Sequence, residues 1–220
     1  RRFSDELRHA VLKVLPRCTS AVIRPRYHFS EDIDPVKTVE TMARIASSGS
    51  HGIILKAQNV MPICAEIDRL AVLKTPVVTV FTDCPGSRRL AYAGLNNEHA
   101  GCTAAYLFFQ SLQRRAGNVI TTNSRSQFQG EEARSLAFVG EMARLCPNIG
   151  LIDASGGAGL ALGTAAKITA AAQGLDRLLG VYSMGGGNTA ILAALSALDL
   201  RPDLYVAHDL DRENRQLLRQ

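Results

Sequence analysis

The sequence predicts an α/β protein whose parallel strands are shared between two lobes. Three observations carry this expectation. Short apolar runs alternate with longer helical patterns along the chain. Several runs are apolar throughout, as strands covered on both faces are. Eight strand candidates are many for one sheet in 220 residues but suit two smaller ones.

The chain opens on a helical pattern near 4–15, with no strand before it. Strand candidates follow at 21–23 (Ala21-Val22-Ile23), 52–55, 77–81, 92–95, 118–121, 149–152, 180–183 and 204–207. Helical patterns lie near 35–48, 60–73, 98–115, 130–145, 158–172 and 188–198. Asp34-Pro35 reads as an N-cap followed by Pro at the first helical position. A last helical start begins at Asp211. No Pro/Gly/Ser-rich linker divides the chain, so a strand-like crossover must join the lobes. Gly94-Leu95-Asn96-Asn97, before a long helix, is the best place for it. The expected division is 1–95 for an N-terminal lobe lacking its first strand and 96–208 for a C-terminal lobe. Residues 209–220 then begin a return to the N-terminal lobe, and the chain reads as a piece of a longer protein.

Composition excludes several classes. A hydrophobic fraction of 46% and a charged fraction of 20% rule out disorder and collagen-like repetition. No apolar run is long enough for a transmembrane helix, so no membrane partner is expected. The first residues lack the apolar core of a signal peptide. The net charge of +5 resides in residues 1–30; the rest balances. A spread-out DNA-binding face is therefore not indicated, and the basic N-terminal patch reads as solvated surface or an anion contact. Five widely spaced cysteines, with no C-x-x-C, read as reduced thiols in a cytoplasmic protein.

Catalytic and cofactor signatures are weak. Gly157-Ala158-Gly159 with Gly163 has the spacing G-x-G-x-x-x-G, not that of a dinucleotide loop. Met184-Gly185-Gly186-Gly187-Asn188 lacks the Lys-Ser/Thr of a phosphate loop. His99 and Cys102 share a helix face without a second pair, so no metal site is expected. No G-x-S-x-G elbow occurs, and no histidine stands beside an evident nucleophile. The expectation is no catalytic residue, no cofactor and no enzyme.

Polar residues do gather at the C-terminal ends of the predicted strands: Lys56, Asp83, Asn96, Asn97, Asn188 and Asp209. In open α/β sheets the ligand crevice lies outside those ends. Each Asn or Asp taken singly also suits a turn or a cap. Together, amides and carboxylates without a nucleophile suit hydrogen bonding to hydroxyls.

These motifs resemble the effector-binding core of LacI-type (lac-repressor family) transcription regulators. Arg1-Arg2-Phe3-Ser4 resembles the hand-over from first strand to first helix, with Phe3 at the first of two aromatic positions. His51-Gly52-Ile53-Ile54 is similar to the family's D-G-I-I strand. The strand ending in Asp83 resembles the one that carries a sugar-binding Asp. Asn96-Asn97-Glu98-His99-Ala100-Gly101 is similar to the lobe-crossing D-N-x-x-x-G motif. Arg134 occupies the second Arg of an R-x-R-x-x-G-F helix start, Asn188 the strand-then-N-D position, and Asp209 the Asp of G-x-D.

The resemblance implies a periplasmic-binding-protein-like type I fold, two Rossmann-like lobes joined by a hinge. It implies Phe3, Asp83, Asn97, Arg134, Asn188 and Asp209 as ligand contacts, with Arg1, Ser4 and Lys56 as secondary ones. Asn96 and His208 fall at the hinge. The implied effector is a sugar or polyol whose binding closes the lobes. Operator DNA is implied only through a helix-turn-helix domain that lies outside these residues, and the assembly implied is a homodimer. The alternative is the periplasmic sugar-binding component of a transporter.

Overall fold

The computed structural model describes residues 2–29, 34–113, 115–124, 129–157 and 160–219, with side chains from Asp5 onward. They divide into two compact units, Arg1–Asp34 and Pro35–Gln220.

The first unit holds α1 (Arg2–Val14) and a 3₁₀ turn (Leu15–Arg17). Beyond it the Arg8 guanidinium sits 5.7 Å over the Tyr27 ring, and Tyr27 stacks on Phe29 at 6.1 Å. The strand expected at Ala21-Val22-Ile23 does not form. Val22 is 86% exposed, so its β-branched side chain has no sheet face to cover. Pro25 follows two residues later and offers no N–H to a ladder.

The second unit carries the seven other predicted strands, in two sheets. The first comprises β1 (Ile53–Leu55), β2 (Val77–Val80) and β3 (Ala91–Ala93), parallel and in chain order. Helices α2 (Pro35–Ser47) and α3 (Met61–Val72) pack Met42, Ile63, Ile67 and Leu70 on Ile53, Leu55 and Val77. The second sheet comprises β4 (Gly117–Thr122), β5 (Ile149–Asp153), β6 (Gly180–Ser183) and β7 (Leu204–Ala207). It is parallel, with order β5-β4-β6-β7. Strand order reverses at β4, which places a crevice beyond the ends of β4 and β6.

Helices cover both faces of this sheet. On one, α4 (Asn97–Leu112) and α5 (Gln129–Leu145) bring Phe108 and Phe138 against Tyr182. On the other, α6 (Ala161–Ala172) and α7 (Asn188–Ala197) bring Ile168 and Ile191 against Ile120 and Val181. Contact on both sides explains why β6 is buried at every position. Helix α8 (Arg212–Leu217), capped by the Asp211 side chain, is tied to α7 by Asn188–Asn214 and Thr189–Glu213 hydrogen bonds. This helix occupies the segment expected to start a return to the N-terminal lobe.

One close approach orients the second sheet's helices. A Cβ on Gly101 would come within 2.9 Å of the Phe138 amide nitrogen and nearer still to the Arg134 carbonyl. Only a glycine lets α4 and α5 cross at this separation.

Candidate functional site

Asn96 caps α4: its Oδ1 accepts from the His99 N–H at 3.0 Å. Its extended backbone ends the crossover from β3 and starts the helix. Asn97, the next residue, turns its amide inward. Its Nδ2 donates to the Leu95 carbonyl at 3.3 Å, and Gly130 of α5 lies against it.

The Asn97 carbonyl oxygen is held by Arg134. Arg134 Nε and Nη2 both donate to Asn97 Oδ1, at 3.2 and 2.7 Å. Nη1 donates to the Met184 carbonyl at 2.9 Å. Arg134 is 7% exposed, so its charge is sunk among α4, α5 and the end of β6. A guanidinium has five N–H groups. Among the described residues three are used, which leaves the fork two donors.

That charge is felt at the end of β7. The Tyr182 hydroxyl lies 2.8 Å from His208 Nε2. Burial, and then the nearby Arg134 charge, push the His208 imidazole down to about 4. Burial also holds the Tyr182 hydroxyl above its ordinary range, with Arg134 opposing. At neutral pH His208 is therefore neutral, and one hydrogen bond joins its Nε2 to the Tyr182 hydroxyl. Asp209 follows in a left-handed conformation (φ 68), exposed. Its carbonyl and that of His208 both accept from Asn214 Nδ2.

Lys56, at the end of β1, is exposed and senses this neighbourhood. The surrounding protein lowers its pKa, while the charges of Glu131 and Asp209 oppose that. The Glu131 carboxylate also accepts from the Ser124 N–H at 2.5 Å. Charged groups from the end of β1, from α5 and from the end of β7 thus act on one another.

Asp83 is committed differently. Its carboxylate accepts from Thr79 Oγ1 at 2.7 Å, from the Cys84 N–H at 2.8 Å and from both Nε and Nη2 of Arg89. Burial alone would raise this carboxyl; Arg89, Thr79 and Cys84 outweigh it and hold it below its ordinary value. Phe81 introduces this loop with φ 64, while the Thr82 N–H bonds the Val80 carbonyl at 2.8 Å. Such a γ-turn at a non-glycine residue is rare and strained, and strain of this kind collects at ligand clamps. It leaves the Phe81 ring 39% exposed.

Asn188 is 0% exposed. Its Nδ2 donates to Asn214 Oδ1 at 2.7 Å, and its Oδ1 accepts from the Tyr205 hydroxyl at 2.9 Å. It braces α7, β7 and α8 from within. Arg1 lies outside the described residues, as do the side chains of Phe3 and Ser4. Among the described residues no group of three His, Cys, Asp or Glu could hold a metal ion. No described helix is long and apolar enough to cross a membrane.

Of the expected residues, Asn97 and Arg134 share one hydrogen-bond network, which His208 joins electrostatically, as Asp209 does with Lys56. Asp83 and Asn188 belong to networks of their own. Sequence reasoning missed Tyr182, Glu131, Arg89 and Phe81. Tyr182 sits with Ser183 at the C-terminal end of β6, and strand-end position is the signal that points to it. Arg89 gave none, being one of two adjacent arginines in a loop.

Two parallel sheets, a reversal of strand order and a polar cluster at strand ends define a two-lobed α/β binding protein. A family model described as the periplasmic binding protein domain matches residues 19–220, and the chain belongs to that family. No curated protein matches the sequence. Solved structures share the fold at low identity. A protein from Bacteroides fragilis described as a LacI transcriptional regulator is 15% identical with a TM-score of 0.83, over 97% of this chain and 75% of that one. GanP, a glucose-galactose binding protein from Geobacillus stearothermophilus, is 18% identical with a TM-score of 0.81, over 99% and 75%. An ABC transporter solute binding protein from Burkholderia graminis, in complex with D-arabinose, is 18% identical with a TM-score of 0.80, over 90% and 70%.

Proposed function

We propose that this chain is the effector-binding core of a LacI-type transcription regulator that senses a sugar or polyol. The observation that carries the reading is the Arg134 fork: buried, fixed by Asn97 and Met184, and keeping two N–H donors. Such a planar pair suits vicinal hydroxyls, which lysine could not match. Asp209 adds a carboxylate acceptor and Lys56 a donor from the N-terminal lobe. Asn96 and His208 lie where the chain crosses between lobes. Ligand contacts both lobes only in the closed state and so favours it. Closure changes the pose of a helix-turn-helix domain on operator DNA, in a cytoplasmic homodimer. The reaction is binding, with no turnover.

A second reading is the periplasmic sugar-binding component of a transporter. The solved relatives named as glucose-galactose and solute binding proteins favour it. A helix-turn-helix or a signal peptide upstream in the full-length protein separates the two.

The test is a thermal-shift screen of pentoses, hexoses, inositols and their phosphates against wild type and Arg134→Lys, with circular dichroism to check folding. Loss of two charge-assisted hydrogen bonds costs roughly 3 kcal/mol, about a hundredfold in affinity. A sugar bound equally well by the folded variant overturns the Arg134 assignment. A screen without any sugar or polyol hit overturns the effector class.

A further inference from the structure

We propose that Cys64 and Cys84 form a redox-active pair, which oxidation converts into a disulfide tying α3 to the loop that holds Asp83. Cys64 lies in the first turn of α3, where its N–H bonds the Val60 carbonyl. Cys84 follows Asp83 directly. Both side chains belong to the apolar cluster under the first sheet. Their sulfurs converge on two consecutive residues: Cys84 Sγ lies 3.7 Å from the Gln58 carbonyl, and Cys64 Sγ lies 3.4 Å from Asn59 Oδ1. The two thiols act on one another electrostatically, and both are free.

Exposure assigns the roles. Cys64 is partly exposed and meets an oxidant; Cys84 is 1% exposed. With a small-molecule disulfide as oxidant, the Cys64 thiolate attacks one of its sulfurs and expels a thiolate. Cys84 then gives up its proton, attacks Cys64 Sγ and expels the second thiolate. Two protein thiols become one disulfide, and the small disulfide becomes two thiols. Burial first, then the charge and hydrogen bond of Cys64, push the Cys84 thiol up to about 12. The last two influences are lost once Cys64 is capped, and burial remains. The Cys84 N–H donates to Asp83 Oδ1 at 2.8 Å, so the bridge acts on the Asp83 anchor.

The test treats the purified chain with oxidised glutathione, alkylates free thiols and maps tryptic peptides without reduction. The expected product is a chain lighter by two hydrogens, with peptides 57–69 and 75–88 joined. Cys64→Ser abolishes the joined species, and Cys84→Ser stops at a glutathione adduct on Cys64. A wild-type chain that keeps glutathione on Cys64, or links either cysteine elsewhere, overturns the proposal. Cys64 is only partly buried, so its variant stays informative should Cys84→Ser fail to fold. No sugar is needed to read the outcome.

Discussion

His208 makes the stability of this domain depend on pH in a defined window. Its imidazole stands at about 4 in the folded chain, against an ordinary value of 6.5. Between those values the unfolded chain holds a proton that the folded chain refuses. Stability therefore falls as pH drops through the window, and the contribution is flat above it. At ~1.4 kcal/mol per pH unit the full effect has a ceiling of about 3 kcal/mol. Roughly 2 kcal/mol of it is lost by about pH 5. The assay is urea unfolding of wild type and His208→Gln at about pH 7.5 and pH 5. Ordinary carboxylate effects are common to both chains and cancel in the difference. Wild type should lose roughly 2 kcal/mol more than the variant over this step. Tyr182→Phe should keep the wild-type slope, because burial and the Arg134 charge set the shift. Parallel losses in wild type and His208→Gln would refute the reasoning.

Three further outcomes follow from the geometry. Gly101→Ala gains about 1 kcal/mol of helix propensity but drives a methyl into the α5 backbone; a net loss of about 2 kcal/mol is expected in denaturant melts, and an unchanged midpoint would contradict the close crossing. Arg89→Ala strips Asp83 of two hydrogen bonds and should cost about 2–3 kcal/mol at neutral pH. Because pairing holds the Asp83 carboxyl below its ordinary 3.8, the wild-type advantage should shrink as pH falls through that value. Phe138→Ala empties a fully buried site against Phe108 and Tyr182 and should cost about 3–5 kcal/mol, read by thermal unfolding.

The alternation of strands and helices was legible because apolar runs and helical periods differ plainly in this chain. The prediction failed at Ala21-Val22-Ile23, where a β-rich tripeptide has no neighbouring strand in the described structure; pairing is a property of the fold, not of three residues. Arg134 was legible through a local motif, and its burial follows from lying one turn into a helix that crosses another at a glycine. Asn188 was read as a strand-end residue. Its internal role depends on Asn214 and Tyr205, 26 and 17 positions away. Asp83 hid its partner for the same reason, since nothing local singles out Arg89 over Arg88.

The two bonds from Arg134 to a single oxygen of Asn97 have a mechanical meaning. Asn97 opens α4 directly after the crossover segment, and Arg134 is the residue read as touching the effector. A guanidinium that shifts on meeting a ligand would pull on the first turn of the helix that leaves the crossover. The lever arm from recognition to joint is then one side chain long. Changes of effector grip and changes of lobe angle would share a single degree of freedom, so variants that loosen the joint should also blur which sugars are told apart.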